Sequence, residues 1–172
     1  PSSTKPPFSS CWYVVPIGLP KASIICWPSC SAMVTLKPAM EYQRECFPTI
    51  DGVLLLDDIV GFIGEEDYKE FAQPYLKELF TKLGVSVRFF HNDSPCKASA
   101  PHLHDTGINL YNMGIDATLK DLQGWTDGKV ALMGNIPPRD VLASGTANDV
   151  EDAVEAQLRS LTDRRRVLFS CG

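Results

Sequence analysis

The chain has 172 residues, enough for one domain with a real core, and its 44% hydrophobic and 22% charged content is globular rather than disordered. A formal charge of −5 with no basic stripe argues against a nucleic-acid surface, since Arg164, Arg165 and Arg166 are only three residues before an apolar run. No apolar run approaches the ~20 residues needed to cross a bilayer.

Residues 1–38 stand apart. They hold seven of the thirteen prolines, three of the six cysteines, three lysines and no acid, whereas residues 39–172 carry thirteen basic and twenty-one acidic residues. The segment has no sustained period of 3.6 or 2.0, although Cys11–Val15 and Ile24–Trp27 are candidate short strands. Lys5 before an apolar stretch is a loose secretory signal, but Pro16, Pro20 and Pro28 interrupt it. Cys11, Cys26, Cys30, Cys46, Cys96 and Cys171 are scattered, with no CxxC; they read as reduced thiols, which makes the protein cytoplasmic.

From residue 39 onward the pattern is regular. The run from Asp51 to Asp58 is short, apolar and closed by acids, the mark of a buried parallel strand over Val53–Asp57. A helix follows, with Tyr68, Phe71, Ala72, Tyr75, Leu76, Leu79, Phe80 and Leu83 on one stripe and acids at its start. Pro74 lies inside this helix and predicts a kink, because its ring clashes with the carbonyl of Glu70. Val85–Phe90 is a strand, and a short helix is expected around His102–Thr106. Ile108–Asn112 is a strand, Leu119–Trp125 a short helix, and Val130–Gly134 a strand. Pro137 and Pro138 suit a helix first turn. Thr146–Asp149 reads as a capping box opening a helix that turns Val150, Ala153, Val154, Leu158 and Leu161 inward. Arg166–Ser170 is the last strand. Five strands spaced by roughly 22 to 36 residues, with helices between, have the rhythm of parallel βα units in an α/β fold.

Each strand ends in residues a core would not choose: Asp57 and Asp58, His91 and Asp93, Tyr111 and Asn112, Asn135, and Ser170 and Cys171. In a parallel α/β sheet these ends share one face, the face that carries active sites. Each also has a plain structural explanation. An Asp or Asn after a strand is usually a turn former or cap, a lone Cys a small buried hydrophobe, and a lone His a hydrogen-bonded structural residue.

The segments LLLDDIVGFIGEEDYKEFAQPYLKEL, FFHND, INLYNMG, VALMGNIPPRDVLASGTANDVEDAV and RVLFSCG, in this order, resemble the uroporphyrinogen decarboxylase superfamily over residues 41–172. The resemblance implies a partial (β/α)8 TIM barrel, the five strands standing for its fourth to eighth; a full barrel needs about 250 residues. Residues 1–38 have no counterpart in it, so the chain divides into 1–38, not matching the family, and a half barrel over 39–172. The family holds decarboxylases of haem biosynthesis and cobamide-dependent methyltransferases. Decarboxylases of the haem pathway have a serine at the position of Asp58 and Gly-His-Gly where this chain has Ser170-Cys171-Gly172. A further aspartate would repel a substrate of eight carboxylates.

The methyltransferase branch binds zinc through His-x-Cys at the FFHND-type strand and a cysteine on the last strand. The matching positions are His91, Asp93 and Cys171, with a carboxylate in place of one thiolate, an acceptable zinc ligand. The resemblance therefore implies zinc-dependent methyl transfer between a small-molecule donor or acceptor and a corrinoid carried by a partner protein. Asp58, His91 and Asp93 are the candidate catalytic residues, and Asp57, Tyr111, Asn112 and Asn135 the substrate-binding ones. A metal-free decarboxylase using Asp58 or His91 as proton donor is the alternative. A third reading is an inactive incomplete barrel, whose exposed sheet edge would promote homo-oligomers.

Overall fold

The computed structural model describes residues 37–172. The candidate strands at Cys11–Val15 and Ile24–Trp27, and nearly all of the segment over 1–38, lie outside the described residues. Lys37 and Pro38 already belong to a helix, α1 (37–46), which the apolar periodicity did not suggest. Its buried residue Met40 packs with Leu79, Leu83 and Val85, and Arg44 donates to the carbonyls of Leu83 and Gly84.

Five strands follow: β1 (Gly52–Leu56), β2 (Val87–Asn92), β3 (Leu110–Met113), β4 (Ala131–Met133) and β5 (Val167–Leu168). They form one sheet in sequence order, and every neighbouring pair is parallel. Helices α2 (Glu65–Phe71) and α3 (Gln73–Lys82) join β1 to β2, α4 (Leu119–Trp125) joins β3 to β4, and α5 (Ala147–Ser160) joins β4 to β5. This is the α/β architecture of a partial TIM barrel. No helix among the described residues is long and apolar enough to cross a membrane.

Pro74 does more than kink. It sits in the first turn of α3, and Ala72 (φ −117, ψ −55) closes α2 and opens α3, so the expected single helix is two. A missing N–H at residue 74 costs nothing where a helix begins. The short helix expected around His102–Thr106 is instead a single 3₁₀ turn, Ala100–His102. After β4 the two prolines open a π-helical turn, Pro138–Ala143, in which Ser144 N–H bonds the carbonyl of Arg139. The capping box at Thr146 and Asp149 is present, and a second one, Thr118 with Asp121, opens α4. The inward stripe of α5 is only half-buried, apart from Leu161 just beyond its end.

The sheet's two faces follow from its register. Leu55, Phe90, Tyr111, Leu132 and Val167 are lateral neighbours in one row, and this row packs under Tyr68, Leu76, Phe80 and Leu122 of the helices. The next row, Leu56, His91, Asn112, Met133 and Leu168, points to the other face, as strand alternation requires. Leu54 (50%), Leu56 (45%) and Leu168 (49%) on that face are exposed among the described residues.

Candidate functional site at the strand ends

His91 and Asn112 are partners across β2 and β3, so their side chains project together from the last full row of the open face. Nδ1 of His91 lies 2.6 Å from Oδ1 of Asn112. The Asn112 amide nitrogen donates to the carbonyls of Met133 (2.6 Å) and Cys171 (3.3 Å). A carbonyl can only accept, so the group facing those two oxygens is the NH₂ and the group facing His91 is the amide oxygen. His91 therefore carries its hydrogen on Nδ1 when neutral, and Nε2 presents a lone pair to the open face.

Asp93, two residues on, shares the face of His91. Its Oδ2 stands 3.4 Å from Nε2, and its side chain is 53% exposed against 20% for the imidazole. The Asp93 backbone is fixed in turn: its N–H donates to Oδ1 of Asp58 (2.7 Å), tying the end of β1 to the end of β2. Gly114, after β3, lies so close that a Cβ there would sit 2.5 Å from the Asp93 carbonyl oxygen. An arrangement of tautomer-fixing amide, imidazole and carboxylate suits proton transfer at Nε2, because a proton accepted there is stabilised by Asp93.

The other expected site residues are spent elsewhere. Asp57 follows Leu56 and so points away from the open face; its Oδ1 accepts from the N–H of Ile59 (2.9 Å) in the turn after β1. Burial, opposed by the N–H groups of Ile59 and Val60, raises its carboxyl to about 6, and the neighbouring Asp58 adds to the rise. Tyr111 is fully buried in the helix-covered layer, stacked on Phe90, with burial the first cause of its raised phenol and Cys96 the next. Asn135 braces loops: it donates to the carbonyls of Gly114 and Ala117 and accepts from Gln157. Asp57 and Tyr111 thus turn to the helix-covered side of the sheet, and Asn135 to the loops beyond β3.

Cys171 reaches the site through its backbone. Ile136 bridges to it in parallel, its carbonyl accepts from Asn112, and its exposed thiol lies 4.0 Å from the Ser170 hydroxyl. Among the described residues no three His, Cys, Asp or Glu side chains are grouped to hold a metal ion. His91 taken alone has the habit of a ligand, with Nδ1–H on an acceptor and Nε2 outward. With only Asp93 beside it, the donor set assembled here does not fit a three-ligand zinc centre.

Residues 40–172 match the model of the uroporphyrinogen decarboxylase (URO-D) family. The chain belongs to the URO-D family. Among curated members, uroporphyrinogen decarboxylase of Chlorobium luteolum is 29% identical over 93 residues, covering 51% of this chain and 26% of that one. The Koribacter versatilis enzyme of the same name is 28% identical over 128 residues, covering 71% of this chain and 35% of its own length. This URO-D chain thus spans about a third or less of the curated relatives it matches. A methyltransferase from Methanosarcina mazei has the same fold, with a TM-score of 0.61 at 13% identity, covering 87% of this chain and 47% of that one.

Proposed function

We propose that this URO-D family chain serves methyl transfer to or from a neutral or cationic small molecule, with His91 handling the proton. The observation that carries the proposal is the His91 imidazole held between Asn112 and Asp93 on an acidic rim. The strand ends on this face carry Asp58 and Asp93 but no Lys or Arg. A polycarboxylate would meet repulsion there, whereas a neutral or cationic methyl donor would not.

Methyl exchange at a heteroatom needs a proton removed from the acceptor or supplied to the leaving group. Nε2 of His91 takes or gives that proton, Asp93 stabilises the charged ring, and Asn112 keeps Nδ1 from competing. Asp58 holds the Asp93 backbone in place. A corrinoid on a partner protein, which the resemblance implies, would supply the cobalt that exchanges the methyl group. Leu56 beside His91 and Leu168 at the far end of the same row, both half exposed, offer the apolar borders such a macrocycle favours. The name of the M. mazei protein supports this reading.

The names of the curated relatives favour a second one, in which His91 protonates the carbanion left when CO₂ departs. One experiment separates them. The full chain is incubated with reduced free cobalamin and methylated amines or methoxyarenes, and the cobalt absorbance is followed; CO₂ release from small polycarboxylates is measured in parallel. Methyl transfer that His91→Ala lowers by about 10²-fold or more supports the proposal. CO₂ release without methyl transfer establishes the second reading instead, and activity in neither assay sinks both.

A further inference from the structure

At the opposite end of the sheet from His91, between α4 and the loop entering β5, lies a cavity of about 380 Å³ that the methyl-transfer reading does not use. Lys120, Arg165 and Arg166 line it with a single acid, Asp163, so its local charge is positive on a chain of net charge −5. Both guanidinium groups have a partner in the cavity wall. Arg165 forks onto the Asp163 carboxylate through Nε (3.0 Å) and Nη2 (2.8 Å), and Asp163 is thereby lowered to about 2. Arg166 donates Nη1 to the Gly128 carbonyl (2.8 Å), and its own backbone is left-handed at φ 59, a conformation unusual for a side chain of its size. Lys120 makes no hydrogen bond or ion pair among the described residues.

The lining keeps a net positive charge. Asp163 offsets one of three positive groups, and the planar guanidinium forks and the Lys120 ammonium suit the oxygens of an anion. The cavity is larger than a bare phosphate ion, which leaves space for an organic remainder. We propose that this cavity binds a small phosphate monoester, its phosphate held by Lys120 and Arg166 and bordered by Arg165, at a site remote from the strand-end rim.

The test is isothermal titration of the full chain at low ionic strength with ribose 5-phosphate and with inorganic phosphate. The ester should bind about tenfold tighter than inorganic phosphate, a difference of about 1.4 kcal/mol. Lys120→Ala and Arg166→Ala should each weaken it by about tenfold or more, and His91→Ala should leave it unchanged. Lys120→Ala should also keep the wild-type unfolding midpoint, so its loss of binding reads as a lost ligand contact even if Arg166→Ala loosens the loop. Absence of binding, equal affinity for ester and inorganic phosphate, or full binding by the Lys120→Ala/Arg166→Ala double variant would overturn the proposal.

Discussion

The Asn112 amide gives both its hydrogens to backbone carbonyls, those of Met133 and Cys171, and turns only its oxygen toward Nδ1 of His91, 2.6 Å away. One side chain thus joins β2, β3, β4 and the chain end, and sets the tautomer of the imidazole. Asn112→Leu keeps the volume but removes every one of these bonds. Two carbonyls lose their donor, and unfolding free energy should fall by about 1–3 kcal/mol. Ring ¹⁵N spectra of neutral His91 should change from the Nδ1–H form to a tautomer mixture. An unchanged spectrum would show that Asn112 does not set the tautomer.

Gly114 tests the position of Asp93 without touching either acid or imidazole. A Cβ at 114 would lie 2.5 Å from the Asp93 carbonyl oxygen and 3.0 Å from its carbonyl carbon, both backbone atoms. Gly114→Ala must therefore push the end of β2 away, and overpacking of this kind costs about 1–3 kcal/mol. Chemical denaturation should show that loss, and the His91 side-chain resonances should move with it. A variant as stable as wild type, with His91 unmoved, would mean that the loop gives way freely.

The parallel strands were legible because each is an apolar run of strand length closed by polar residues, at βα spacing. The site was half legible. Tyr111 is adjacent to Asn112 in sequence and Asp57 to Asp58, yet neighbours along an extended chain face opposite ways. The register gives His91 and Asn112 to the open face and leaves Phe90 and Tyr111 to the core. Asp93 shares the face of His91 because it lies two residues away. The bonds by which Asn112 positions His91 depend on three strands meeting, which no single stretch of sequence contains. The break at Ala72 was signalled by Pro74, and its extent depended on a second helix being able to start there.

Asp57 gives the fold a pH dependence whose sign can be worked out. Burial raises its folded-state carboxyl to about 6 from the ordinary 3.8. The folded state then binds more protons than the unfolded chain between those values, so stability falls as pH rises from about 4 to about 6 and stays lower above that. At 1.36 kcal/mol per pH unit the loss is about 3 kcal/mol. Asp57→Asn can still accept from Ile59 and Val60 but cannot ionise. It should equal wild type near pH 4 and exceed it by up to about 3 kcal/mol at pH 8. Parallel pH profiles for the two proteins would contradict the burial of this carboxyl.

Zinc separates the assembled geometry from the ligand set that the resemblance implies. With His91 and Asp93 together and the Cys171 thiol outside, zinc retained after gel filtration should be well below one per chain, and Cys171→Ser should not change it. Asp93→Cys adds a thiolate beside Nε2 and should raise zinc affinity, because two ligands that include sulfur hold zinc better than imidazole with one carboxylate. Stoichiometric zinc in the wild type, lost in Cys171→Ser, would show that Cys171 swings in and that the three-ligand centre forms after all.

The open face supplies the last prediction. Leu54 and Leu56 on β1 and Val87 on β2 lie on one side of the sheet, and all three are exposed among the described residues (50%, 45% and 43%). β1 is also an edge of the described sheet, with β2 its sole partner there. An apolar patch beside a strand edge promotes association. The chain should therefore self-associate as its concentration rises and bind a hydrophobic dye. Leu54→Lys places a charge in the middle of the patch, two residues before the row of His91, and its cost to folding should be small because the side chain is half exposed. Sedimentation should move the variant toward monomer and dye fluorescence should fall. If both stay at wild-type values, the patch is already covered within the chain, and residues 1–36 become the segment to test by deletion.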